Sequence, residues 1–390
     1  MAVVIKGSGS IEGSSGLEMG ANGATEIRGR VNVALGSSVA GDSYTSGIST
    51  ATNFAPSSVP TGHRNIIING AMQVAQRGTS VTATANGFYT VDRIEVGSSN
   101  LENSPDHAQS TIATGNDAFT AGFRNAFKLT NGANSADVDD QLKISYWVEA
   151  QDLACSGWDD SSSSSNITLS FWVKSSVAQT FPCVLYHSDS TKGYSFNYSA
   201  TTSWTRITHT IPGAAGQAIN NDNGQGILIQ WVQYMGTNYT TSGHTVNTWA
   251  AYDSADRCAD VTNTWINTDD ATFEITGVQL EVGSVATTFE HRSYADELRR
   301  CQRYYQFMHS ANQSYVDSSQ HVGGSATFMT QMRNASYTVA QNTAQGGNIT
   351  SIGDVPSVHV KKEWGLGFYQ TATAAGNWYF YRDLTMDAEI

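Results

Sequence analysis

The chain has 390 residues, of which 39% are hydrophobic and 10% aromatic. At about 150 residues per domain this length suggests two to three domains, and the aromatic content excludes disorder over most of the chain. Only 14% of residues are charged, and 21 Lys and Arg against 34 Asp and Glu leave −13 (21 − 34), which argues against a nucleic-acid-coating protein with a broad basic face.

Residues 1–62 differ from the rest. Glycine punctuates short β-forming pieces that carry Val3, Val4, Ile5, Ile11, Leu17 and Ile27. So little apolar surface cannot form a core alone. The pieces read either as a flexible tail or as an extended anchor ordered by identical chains or by a docking partner. Residues 36–62, rich in Ser, Gly and Thr, read as a linker. Lys6 follows the opening apolar run instead of preceding it, so no signal peptide is expected. No run approaches the ~20 apolar residues of a membrane span.

From about residue 63 the pattern becomes all-β. Leu142, Ile144, Tyr146 and Val148 share one face of a strand, as do Ile167, Leu169, Phe171 and Val173. Trp147 and Trp172 fall on the opposite faces, which places them on an outer sheet surface or a subunit contact. Similar runs cover 194–198, 204–211, 227–234 and 272–282, with turn signals between them. The expected fold is an antiparallel jelly-roll-type sandwich over 63–292.

Ser293 and Asp296 make a capping-box pattern that opens one short connecting helix, expected over 293–309. Leu298, Cys301, Tyr305 and Met308 line its apolar face, and Arg292, Arg299, Arg300 and Arg303 cluster beside them. The cluster reads as a solvated basic face or an inter-subunit salt-bridge site. Residues 310–390 read as a smaller C-terminal β domain.

Chemistry-bearing patterns are few. Cys155, Cys183, Cys258 and Cys301 form no CxxC pair and are expected as reduced thiols. The nine His are scattered, and no HExxH, GxSxG or P-loop occurs. The acidic pairs 139–140, 159–160 and 269–270 sit at expected turns, while Asp253 and Glu274 are a distant pair that only the fold can bring together. No enzyme is expected.

Binding has more support. Sugars present apolar C–H faces and polar rims, which suits aromatic platforms with a few placed polar groups. The weakly periodic stretch 234–265 holds Tyr239, Trp249, Tyr252, Asp253, Asp256, Arg257 and Trp265, and forms the first candidate glycan site. Trp249 and Trp265 read equally as sandwich core. Trp364, Tyr369, Trp378 and Tyr381 form a second candidate surface.

Several motifs, in order, resemble those of bacteriophage tail-fibre and related virion proteins. They are Asn65 to Thr79 with Gly87 to Arg93, Leu169 to Ser175 with Ser203 to Arg206, Ile275 to Gly283 with Phe289 to Tyr294 and Glu297 to Tyr305, then Met332-Arg333 and Met386 to Ile390. The resemblance covers about residues 64–390. It implies a homotrimeric virion protein, made in the host cytoplasm, with a carbohydrate-binding-module-like sandwich and a C-terminal β domain. Residues 1–62 would attach it to other tail or capsid proteins, and the distal domains would recognise a host-surface polysaccharide. No cofactor is implied beyond calcium, which such sandwiches sometimes hold. The alternatives are a structural capsid-decorating or tail-adaptor protein without receptor role and, less favoured, a glycan-degrading enzyme.

Overall fold

The computed structural model describes residues 64–84, 86–214, 216, 218–317, 320–347 and 357–390. The anchor expected over 1–62, with Val3, Val4, Ile5, Ile11, Leu17 and Ile27, lies outside the described residues.

The fold is all-β. Six antiparallel strands make the first sheet, in the order Ser80–Val81, Asp106–Thr111, Asn125–Thr130, Thr272–Val282, Asn166–Ser175 and Thr205–Pro212. Six more make the second, in the order Ala250–Ala251, Lys192–Ala200, Gln179–His187, Gln225–Met235, Gln141–Glu149 and Glu95–Ser99. The chain crosses repeatedly between the two sheets, in jelly-roll fashion.

Period-two alternation builds the core. Ile167, Leu169, Phe171 and Val173 from the first sheet meet Ile144, Phe181, Ile229 and Trp231 from the second. Phe171 packs edge-on against Trp231 with ring centres 5.8 Å apart, and Phe181 against Phe273 at 5.3 Å. Such edge-to-face pairs add about 0.5–1.5 kcal/mol each beyond burial.

The connecting helix is shorter than expected. Ser293 caps it by accepting from the Asp296 amide, and it runs only over Tyr294–Cys301. Tyr305 and Met308, expected on its apolar face, belong instead to the strand Tyr305–Val316. The run 304–308 is aromatic and suits strand geometry, and it pairs antiparallel with Gly376–Asp387 along its whole length. Two further short helices, Asp117–Thr120 and Ala150–Ala154, were not anticipated.

Beyond the helix, two three-stranded sheets share a second core of Phe328, Met332, Tyr337, Phe368, Trp378, Phe380 and Leu384. They belong to the same compact unit as the sandwich. Charged side chains tie the two cores together. Arg93 is paired with Glu389, lies 3.6 Å over the Tyr304 ring and donates to the Trp147 carbonyl at 2.6 Å. Arg303 grips the buried Glu149 through two nitrogens, at 3.0 and 2.6 Å. Arg77 reaches Asp387 at 2.9 Å, and Arg333 donates to the carbonyls of Ala388 and Glu389. Arg292 is likewise held within the chain, by Glu290 and Glu297. Arg303 and Arg292, suggested as inter-subunit partners, therefore have partners in their own chain.

Candidate functional site

The outer face of the second sheet carries an aromatic row. Leu228 stands opposite Trp147 on one neighbouring strand and opposite Tyr186 on the other. Alternation turns these three away from the core, which takes Ile227, Ile229 and Val148. The Trp147 and Tyr186 rings meet edge-on at 6.3 Å, and Tyr252 extends the row, 4.8 Å from Tyr186. Tyr252 passes over Gly193, where a Cβ would stand 3.5 Å from its ring. Tyr252 is exposed, while Trp147, Leu228 and Tyr186 are half-buried.

A polar rung lies beside the row. Gln230 donates to the Ser145 hydroxyl at 3.3 Å, and Glu95 stands opposite Ser145. Further along, Gln141 accepts from Lys143 at 2.8 Å and from Arg257 at 3.0 Å. Burial, then the charge of Arg257, brings the Lys143 amine down to about 8, against the opposing pull of Glu95. Burial also raises the Glu95 carboxyl above its ordinary value.

The loop after Gln225–Met235 supplies the rest. Tyr239 and Val261 cover Val184, Val232, Met235 and Cys258 on the sheet's outer face. The Arg257 guanidinium stands 5.1 Å over Tyr239 and 5.9 Å from the Tyr252 ring, within cation–π range. A hydrogen-bonded relay holds the loop down. The Ser195 hydroxyl meets His244 Nε2 at 2.7 Å, and His244 Nδ1 meets Asp256 at 2.7 Å. Thr241 donates to the same Asp256 oxygen at 2.7 Å, which lowers the Asp256 pKa first, with His244 adding to the effect. The order of groups is that of a serine hydrolase triad. Here Ser195 is inaccessible, at 0% exposure, so its oxygen cannot meet a substrate and the relay works as a tether.

The structure therefore brings Tyr239, Tyr252, Asp256 and Arg257 to this face. Asp253 sits beside them, exposed, and accepts from the Ala255 amide in a turn. Two candidates are corrected. Trp265 is wholly buried in the sandwich core and its indole donates to the Thr272 carbonyl. Trp249 closes the sandwich edge, donating to the Pro212 carbonyl at 2.7 Å and packing on Tyr194 and His187. Asp253 and Glu274 do not meet: Glu274 pairs with Lys174 on the outer face of the first sheet. On the second surface Trp378 is another core residue, stacked on Phe380, whereas Trp364 and Tyr381 are exposed and Tyr369 is half-buried. Tyr186 and Lys143 were missed. Their signal was strand alternation combined with a register that only the folded sheet supplies.

Among the described residues no three His, Cys, Asp or Glu side chains gather as a metal site.

No protein-family description and no curated protein matches the chain. Solved structures do, at low similarity. A family 11 carbohydrate-binding module of a Clostridium thermocellum cellulosomal cellulase is 11% identical, over 53% of this chain and 99% of its own, with a TM-score of 0.26. A putative sugar binding protein from Bacteroides thetaiotaomicron is 12% identical, over 56% and 100%, with a TM-score of 0.28. The enzymatically active domain of tailspike protein 4 of bacteriophage CBA120 is 10% identical, over 57% of this chain but 22% of its own, with a TM-score of 0.26. At such scores these likenesses carry no weight for function, which rests on the residues.

Proposed function

We propose that this chain is a phage tail-fibre or fibre-like virion protein whose sandwich recognises a host-surface glycan. The observation that carries glycan recognition is the solvent-facing row Trp147, Leu228, Tyr186 and Tyr252, bordered by Gln230, Ser145, Lys143 and Arg257, while the virion assignment rests on the motif resemblance. Flat aromatic surface takes the apolar face of a sugar ring, and the neighbouring amide, hydroxyl and cations take its hydroxyls.

In this reading residues 1–62 attach to other virion proteins and three chains assemble. An exposed sheet face with Phe307, Tyr315, Tyr379 and Tyr381 supports self-association, because apolar patches of this kind mark contact surfaces. Three linked copies would raise a weak sugar affinity through avidity alone. The chain acts as a binder and not a catalyst, which the shielding of Ser195 supports.

Two measurements test this. Light scattering of the purified chain is expected to give about 125 kDa (3 × 41.8 kDa), and a monomer mass would remove the trimer. Immunogold labelling of particles is expected at fibre tips with the C-terminal sheets outward. Label at capsid vertices or the tail nozzle, with the C-terminus inward, would favour a purely structural component.

A further inference from the structure

The outer face of the first sheet holds a pocket that the glycan row does not use. Trp172 stands between Arg206 and Thr276 on the two neighbouring strands. Directly after Thr276 the strand Thr272–Val282 slips register, so that Gln279 pairs with Ser170. Gly277 takes the bulge with φ +61, and a Cβ there would come within 2.5 Å of Phe123 and 2.9 Å of Trp172. Bulges with a left-handed glycine re-aim neighbouring side chains and cluster beside binding sites. Phe289 and His291 close the wall, their rings 4.9 Å apart and each packed on Phe123. The result is a pocket of about 370 Å³, within the roughly 300–1,000 Å³ range of ligand sites.

Its charge is unbalanced. Arg206 donates through Nη2 to the Ser170 hydroxyl and the Thr287 carbonyl. Its Nε and Nη1 find no partner among the described residues, and no carboxylate lines the pocket. Arg77, Arg93, Arg292 and Arg303 all have carboxylate partners. Arg206 resembles the half-buried Arg257 and Arg333 in having only neutral acceptors, and it is the one that lines this aromatic pocket. His291 Nε2 is taken by the Ala121 carbonyl at 3.1 Å, which leaves Nδ1 as an acceptor.

We infer that this pocket is a second sugar site, selective for a pyranose bearing a carboxylate, with the ring against Trp172 and Phe289 and the carboxylate on Arg206. Charge-assisted hydrogen bonds are about twice as strong as neutral ones, so the acid group supplies the selectivity. The site goes beyond the glycan row and lies on the other sheet, so each can fail alone.

The test is ligand-observed NMR titration of the full chain with glucuronic and galacturonic acid, each against its neutral partner, glucose or galactose. At least one acid is expected to bind about tenfold tighter than its partner, a difference of about 1.4 kcal/mol. Arg206→Gln should erase that preference, and Trp147→Ala or Tyr252→Ala should leave it intact. No preference for either acid, a preference that survives Arg206→Gln, or one abolished by Tyr252→Ala would overturn the proposal. Crystals of the parent chain soaked with the preferred acid need no variant: the sugar is expected against Trp172 and Arg206. A pocket left empty, or filled by an aromatic side chain of a second copy, overturns it as well.

Discussion

Arg93 and Glu389 pair across 296 residues of sequence, joining the sandwich to the penultimate residue of the chain. Their side chains are 1% and 5% exposed. Burial opposes the Arg93 charge, yet Glu389, Tyr304 and Tyr146 together raise its pKa above the ordinary value. The same guanidinium holds the carbonyl of Trp147, the first residue of the glycan row. Glu389 thus supports the row through Arg93.

Removing one partner of a buried pair strands the other charge, at a cost of about 3–5 kcal/mol. Glu389→Ala is expected to lose stability on that scale in urea unfolding. The double change Arg93→Met with Glu389→Leu should recover most of it, since an apolar replacement leaves no charge stranded. A parent-like midpoint for Glu389→Ala would show that the pair is not structural.

Much of this architecture was legible in the sequence. The faces of 142–148 and 167–173 followed from alternation, and the Ser293 cap from its spacing to Asp296. The short motifs were harder to read. Arg93, Arg303, Arg333 and Glu389 come from four separate stretches and meet in one junction between the two cores. Local sequence gives no sign of such a meeting, because it depends on long-range packing. The aromatic loop was legible as a site but not in detail. Trp265 belongs to the core and Trp249 packs half-buried at the sandwich edge, while Tyr186, on a strand, joins the row, and register decides that. Trp265→Ala should accordingly cost about 3–5 kcal/mol of stability as a core truncation.

His107 and Asp92 should oppose each other in acid. Burial, between Tyr89 and Phe127, lowers the His107 pKa to about 4. A folded value below the unfolded 6.5 means its stability is full above pH 6.5 and is lost as pH falls toward 4. Burial raises Asp92 to about 6, so its effect has the other sign, and stability is gained as pH falls through 6 toward 3.8. The two offset in the parent. His107→Phe should therefore make the chain gain stability relative to the parent between pH 6.5 and 4, and Asp92→Asn should make it lose. Thermal melts across that range read both slopes, and unchanged slopes would refute the assignment.

The relay from Ser195 through His244 to Asp256 should hold the loop and not the fold. His244→Ala leaves the Ser195 hydroxyl unpaired beneath the loop, at about 1–3 kcal/mol. Faster hydrogen exchange is expected over 241–257, with the sandwich strands unchanged. Exchange raised equally in Phe171 and Trp231 would mean that the relay supports the whole domain.

If the proposed row binds a glycan, Lys143 should set a pH limit on that binding. Its amine, brought to about 8, loses its charge in mild alkali. Affinity for an acceptor-rich sugar should fall as pH rises through 8, and Lys143→Met should remove that step. A titration curve flat from pH 7 to 9 in the parent would exclude Lys143 from the contact.

The central claim is that the face with Trp147, Tyr186 and Tyr252 binds a glycan. Affinity gel electrophoresis of the full chain through purified bacterial capsular polysaccharides and lipopolysaccharide O-chains tests it most directly. At least one polysaccharide should retard the parent, and Trp147→Ala or Tyr252→Ala should migrate freely while keeping the parent's melting temperature within a few degrees. Free migration of the parent through all of them, or retardation equal in the folded variants, would contradict the account.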